Sequence, residues 1–166
     1  HFGGIAIEDI TRGLPRVAQL FEARTPKALA GISHIGGKVF LEETIGGTRV
    51  RIVADDQEEE HTIPPTREVL VETGDLIPPG HTLSSGYLDP KEILETWGTQ
   101  KTERYILSEI QKVYSSQGVT LKDKHIEVIL RQMFSQVKII SPGDTNLLPG
   151  EILSKERWNR ENERVT

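Results

Sequence analysis

Residues 38–53, KVFLEETIGGTRVRIV, contain the pattern that decides the fold. The runs 38–41 and 48–53 are rich in apolar and β-branched residues, and in the second run Val50 and Ile52 alternate with two arginines. Such alternation is typical of a strand with one buried face. The two glycines at 46–47 separate the runs and predict a hairpin turn. The stretch therefore predicts antiparallel β structure.

Further β segments surround this hairpin. We predict short strands at 28–35 and 69–71, a hairpin-type turn at 36–37, and a turn-rich stretch over 73–83 that is typical of a small β-barrel or sandwich. The acidic run 55–60, DDQEEE, lacks the glycine turn and ligand spacing of a calcium loop. We predict that it is a solvated loop.

Helical patterns lie on both sides of the β region. An apolar stripe predicts a helix over 14–23, and an amphipathic face over 105–114 predicts another, closed by Gly118 as a C′ glycine. Asp89 and Asp123 each precede a helical stretch, and we predict that both cap a helix N-terminus.

The chain has 166 residues, which suits one domain with a substantial core. We predict an α+β fold in which a small antiparallel β sandwich or barrel hybrid is flanked by helices. The predicted segments are a helix-containing start at 1–25, a β module at 26–88, a helical segment at 89–136, and short strands with a charged tail at 137–166.

Composition excludes several classes of protein. The absence of cysteine excludes disulfides, a thiol nucleophile, iron–sulfur clusters and cysteine-bound zinc. A net charge of −5 argues against a surface that is basic overall. No apolar run approaches the roughly 18 residues of a membrane-spanning helix. We therefore expect a soluble, cytoplasmic chain.

Side-chain spacing alone reveals no complete active site. The five histidines are scattered without an H-x-x-x-H pair, so we predict no metal site. No phosphate-binding loop or nucleophile elbow is present. A basic cluster formed by Lys122, Lys124, Arg131 and Lys138 is either a solvated helix face or a phosphate contact.

Two long stretches carry a family resemblance. Residues 9–24, DITRGLPRVAQLFEAR, and 118–133, GVTLKDKHIEVILRQM, resemble segments of the β′ subunit of bacterial DNA-directed RNA polymerase. The stretches PGD at 142–144 and LPGE at 148–151 follow in the family's order. The resemblance implies the C-terminal half of a trigger loop within 1–25, a jaw-like module at 26–88, and a helical segment after it.

The resemblance also implies site residues. The opening HFGG matches a family motif whose histidine closes over the incoming nucleoside triphosphate, so His1 is the candidate catalytic residue. Its imidazole could protonate the leaving pyrophosphate or stabilise developing charge. Glycine weakens helices, which suits the hinge of a two-state loop. The hinge candidates are Gly3, Gly4 and Gly13, and the candidate contacts to nucleic acid or other subunits are Arg12, Arg16, Lys122, Lys124 and Arg131.

The family's catalytic magnesium is held by an aspartate motif that this sequence lacks. We therefore expect no cofactor within this chain and no polymerase activity from the chain alone. The implied partners are the α, β and ω subunits, the remainder of β′, downstream DNA and, in the intact enzyme, a nucleoside triphosphate. The implied location is the bacterial cytoplasm at the nucleoid, with no membrane contact.

Two other functions remain open from the sequence. The chain could be a non-catalytic interaction module of the polymerase. The turns at 74–76 and 79–81 also fit a biotinyl- or lipoyl-type carrier domain. Such a carrier needs a lysine at a hairpin tip, typically beside methionine or aspartate. No lysine occupies such a tip, and Met133 falls in a predicted helix.

Overall fold

The structure, a computed structural model, describes residues 13–165. Its helices are α1 (described over 13–21), α2 (Pro90–Trp97), α3 (Thr99–Ser116), α4 (Asp123–Met133) and α5 (Lys155–Val165). Its strands are β1 (Gly37–Thr44), β2 (Gly47–Val53), β3 (Glu58–Ile63), β4 (Leu76–Ile77), β5 (Gln136–Lys138) and β6 (Ile152–Ser154). The predicted α+β class is confirmed.

The main sheet is antiparallel, with strand order β3-β2-β1-β4. Strands β1 and β2 pair from Lys38↔Val53 to Thr44↔Gly47, which confirms the predicted hairpin. Val50 and Ile52 are fully buried, as their alternation predicted. The core of the β module consists of Val39, Val50, Ile52, Ile63, Val71, Ile77 and Leu83.

The rest of the β module is held by isolated bridges, so two predicted strands are wrong. The segment 28–35 forms bridges only at Leu29 and Ile32, and 69–71 forms one only at Val69. These bridges lie beside 82–87 and curl the sheet into a half-barrel. The pair 36–37 leads into β1 from a loop and is not a hairpin turn.

The acidic run is also not wholly a loop, because residues from Glu58 onward form β3. Glutamate is depleted in strands, which explains the incorrect prediction. Arginines of the neighbouring strand offset this preference. Arg51 lies 3.4 Å from Glu58, and Arg49 lies 3.2 Å from Glu60. Opposite charges across neighbouring strands stabilise a sheet, and a charged outer face also protects this edge strand from pairing with other chains.

The helices have their own core, formed by Leu20, Ile106, Ile110, Ile126 and Leu130. Gly118 follows α3 with φ of +71°, and the side chain of Asp89 accepts a hydrogen bond from the Lys91 N–H at the start of α2. Both predictions are confirmed. The prediction for Asp123 is wrong, since Lys122 is the N-cap of α4 and Asp123 is its first helical residue.

Helix α2 joins the helices to the β module. Ile93 of α2 is fully buried and packs with Ile32 and Leu88. The Trp97 Nε1–H donates to the Gly80 carbonyl at 2.8 Å. Within residues 13–165, no helix is both long and apolar enough to cross a membrane.

Candidate functional site

Four of the predicted site residues, His1, Gly3, Gly4 and Arg12, lie outside the described residues. Their roles stay predictions. Gly13 is buried at the start of α1, and a Cβ there would lie 3.1 Å from Val113 Cγ1 of α3. The missing side chain therefore allows α1 to approach α3 closely.

Arg16 is enclosed within the fold and joins α1 to α3. Its guanidinium lies 3.1 Å from Glu109 Oε2 and 3.9 Å from the ring centroid of Tyr87. It also donates to the hydroxyl of Tyr105 at 3.3 Å. Only 8% of Arg16 is exposed, so in this conformation the residue has little surface for the predicted external contact.

The other predicted contacts lie on α4 and at its start. Lys122, Lys124 and Arg131 are all exposed, and none forms an ion pair with another described residue. A lysine that has no carboxylate partner keeps its full charge available for a phosphate.

A cluster that the sequence did not predict forms where the β module meets α2. We call His34, Glu59, His61 and Glu92 the imidazole–carboxylate cluster. Glu59 Oε1 lies 2.6 Å from His34 Nδ1 and 2.7 Å from His61 Nε2. Glu59 Oε2 accepts from the backbone N–H groups of His34 at 2.8 Å and Ile35 at 3.1 Å. Four polar groups therefore orient one carboxylate.

The second carboxylate of the cluster comes from the first turn of α2. Glu92 Oε1 lies 3.4 Å from the other ring nitrogen of His34, Nε2. The two imidazole rings are stacked, with centroids 6.2 Å apart and planes inclined by 14°. His34 is therefore flanked by Glu59 on one ring nitrogen and Glu92 on the other.

The cluster perturbs the acidity of its members. The hydrogen bond with Glu59 raises the pKa of His34, and the charges of Glu59, Glu92 and Glu95 raise it further, against the effect of burial. Burial tends to raise the pKa of Glu59, but hydrogen bonds from His34, Ile35 and His61 lower it overall. Burial raises the pKa of Glu92. These directions favour an anionic Glu59 beside protonated imidazole.

One sequence signal could have revealed half of this cluster. Glu59 and His61 are two residues apart, so in a strand they face the same side as Ile63. Interpreting 55–60 as a loop concealed that relation. His34 lies far from Glu59 and His61 in the sequence, and only the folding of the sheet brings it beside them.

Comparison with known proteins identifies the family. The family described as RNA polymerase Rpb1, domain 5 matches residues 32–156. The β′ subunit of DNA-directed RNA polymerase from Micrococcus luteus is 45% identical over 161 residues, which cover 95% of this chain and 12% of that subunit. The Thermus aquaticus subunit is 46% identical over 168 residues, covering 99% of this chain and 11% of that subunit.

The chain belongs to the Rpb1 domain 5 family. The resemblance to the bacterial β′ subunit is thereby confirmed, and the chain spans about an eighth of the length of these relatives. The family match includes the imidazole–carboxylate cluster and the basic residues of α4, whereas Gly13 and Arg16 precede it. Both relatives are named as polymerase subunits, which gives no support to the carrier-domain alternative.

Proposed function

We propose that this chain takes part in DNA-directed RNA synthesis as a portion of an RNA polymerase β′ subunit. The observation that carries the proposal is the 45% identity over 95% of the chain to a subunit of that name. Its partners are then the α, β and ω subunits and the remainder of β′, with a nucleoside triphosphate and downstream DNA in the intact enzyme. The jaw-like role belongs to the β module.

His1 is the proposed catalytic residue. A histidine beside the triphosphate could donate a proton to the leaving pyrophosphate, or stabilise the charge that develops there while remaining protonated. A role for residues 1–12 in a conformational change is also supported, because they immediately precede α1 in the sequence. Arg16 anchors that helix to α3, and Gly3, Gly4 and Gly13 are the proposed hinge residues.

The test uses polymerase reassembled from α, β, ω, the rest of β′ and this chain, with incorporation verified by pull-down. We expect His1→Ala to slow single-nucleotide addition by about tenfold or more, because a positioned donor is lost. His1→Gln keeps a hydrogen-bond donor but transfers no proton, so it separates the two chemical roles. The control is His125→Ala, which removes an exposed imidazole from α4.

If extension requires the chain but His1→Ala adds nucleotides at the control rate, the catalytic assignment fails. The chain then acts as an interaction module.

One observation favours that second function: Val128 and Ile129 on α4 are 66% and 48% exposed. These two apolar side chains are available to a partner protein on the exposed side of α4.

Lys122 and Lys124 at the start of α4 are the proposed contacts to downstream DNA, with Arg131 about two turns further along the helix. Arg12 is a further proposed contact to nucleic acid or another subunit. Each phosphate contact adds roughly one to the slope of log affinity against log salt. We expect Lys122→Ala/Lys124→Ala to reduce that slope by about 2 in the reassembled polymerase. The measurement is the equilibrium dissociation constant of the polymerase–DNA complex across a salt series.

The matched control for the lysine pair is Lys27→Ala/Lys91→Ala, which removes the same charge from two exposed positions outside α4. An equal loss of slope in both double variants would show a general field effect and contradict the contact. An unchanged slope in the α4 variant would contradict it as well.

A further inference from the structure

We propose that His34, Glu59 and His61 form a binding site for a divalent transition metal, with Zn²⁺ as the ion that they fit. One ligand atom from each residue, His34 Nδ1, Glu59 Oε1 and His61 Nε2, lies within 4.8 Å of the other two. Two imidazoles and one carboxylate are a ligand set that proteins use for zinc. The site is independent of the proposed polymerase function.

Two of the three distances between these atoms are shorter than a bound metal requires, and the third, between the two ring nitrogens, is at most 4.8 Å. Zinc binds nitrogen and oxygen at about 2.0–2.1 Å, so tetrahedral ligand atoms stand about 3.3 Å apart. The ring nitrogens now lie 2.6 and 2.7 Å from Glu59 Oε1, where a proton occupies each gap. The side chain of His34 is 53% exposed and therefore has room to withdraw by this amount.

Metal binding releases to solvent the ring protons on His34 Nδ1 and His61 Nε2 that Glu59 accepts. Zinc requires neutral imidazoles, so His34 must carry its remaining proton on Nε2 when Nδ1 binds the metal. Glu92 Oε1 lies 3.4 Å from that Nε2, as an ion-pair contact rather than a hydrogen bond, and is the acceptor that we assign to it. A carboxylate behind a metal-binding histidine fixes the ring's tautomer and raises its basicity. Glu92 is thus a positioning residue rather than a ligand.

The backbone fixes the third ligand before any metal binds. The N–H groups of His34 and Ile35 hold Glu59 Oε2 and leave Oε1 directed at the two rings. Because Glu59 and His61 lie on the same face of β3, their separation is set by the strand. With three protein ligands and an exposed His34, the fourth position is open to water.

The site joins two parts of the fold that hydrogen bonds already hold together. His34 precedes the inner strand β1, while Glu59 and His61 belong to β3, an edge strand of the same sheet that is separated from β1 by β2. An ion that binds only the folded arrangement stabilises it in proportion to its occupancy. Zinc should therefore raise the unfolding temperature of the chain.

The experiment uses the 166-residue chain in a His1→Ala background, which removes an imidazole outside the described residues. We expect calorimetry to show one Zn²⁺ per chain, and Co²⁺ to give the intense visible bands of a four-coordinate site. His34→Gln and His61→Gln should each lose binding, whereas His125→Gln, which removes an exposed histidine, should retain it. Glu92→Gln should weaken binding by about tenfold to a hundredfold without abolishing it.

Circular dichroism of each variant separates loss of the site from loss of the fold. NMR of the histidine rings, in the chain that retains His34 and His61, gives a second readout. Zn²⁺ should shift the ring signals of these two residues and not those of His81 or His125. The proposal is overturned if Zn²⁺ leaves all ring signals unchanged. It is equally overturned if a folded His34→Gln or His61→Gln variant binds Zn²⁺ as tightly as its parent.

Discussion

Gly47→Ala is expected to destabilise the chain by about 3 kcal/mol or more. Gly47 begins β2 with φ of +129°, a conformation that an L side chain rarely adopts. A Cβ at this position would lie 2.1 Å from the Ile63 carbonyl oxygen of β3. The backbones of β2 and the edge strand β3 would have to separate, because the atoms that the Cβ meets are backbone atoms and no flexible side chain can absorb the clash. Urea denaturation followed by circular dichroism measures the change in the free energy of unfolding.

The adjacent Gly46 supplies the control for this prediction. Apart from residues 45–47 themselves, no described residue has an atom within 4 Å of the position that its Cβ would occupy. Gly46→Ala should therefore leave the free energy of unfolding within about 1 kcal/mol of the parent chain. Equal stability of the two variants would contradict the close approach of β2 and β3 at Gly47.

Arg16→Met is expected to destabilise the chain by about 2–4 kcal/mol. The substitution leaves the carboxylate of Glu109 without its buried cationic partner, and it removes the stacking of Arg16 on Tyr87. Lys112 lies 2.8 Å from Glu109 Oε1 and offsets part of the loss. The free energy of unfolding in urea is again the measurement.

A double-mutant cycle distinguishes the loss of the pair from the loss of packing. Arg16→Met/Glu109→Met places apolar side chains of similar length in both positions, and it should be more stable than Arg16→Met alone. Arg24→Met removes an exposed arginine that pairs with Glu22, and such surface pairs contribute about 0–1 kcal/mol. A double variant no more stable than Arg16→Met would show that the buried charge of Glu109 does not dominate the cost.

The predicted segments correspond to the observed elements to different degrees. Strands β1 to β4 lie within 26–88 and α2 to α4 lie within 89–136, while β5 begins at Gln136, just before the expected boundary. The tail forms helix α5. The division into four domains stays a prediction. Side chains on the two sides of the boundary at residue 89, such as Ile32 and Ile93, pack in one buried cluster.

The candidate sites show where sequence reasoning stops. The assignment of His1 and the basic residues depended on long family stretches rather than on spacing, and their roles stay predictions. The expectation of no histidine metal site followed from local spacing. Local spacing cannot identify His34 and His61 as neighbours. The regions around them come together only when β1 pairs with β2 and β2 pairs with β3.

Local patterns were sufficient where neighbouring residues decide the conformation. The alternation at Val50 and Ile52 determined the hairpin, the side chain of Asp89 capped the start of α2, and the positive φ of Gly118 followed the end of α3. Tertiary structure alone decided the strand at Glu58–Ile63, the internal pairing of Arg16 and the imidazole–carboxylate cluster. Each of these features depends on charged residues from outside its own segment. An ion pair of this kind contributes to stability only once folding has brought its two charges together.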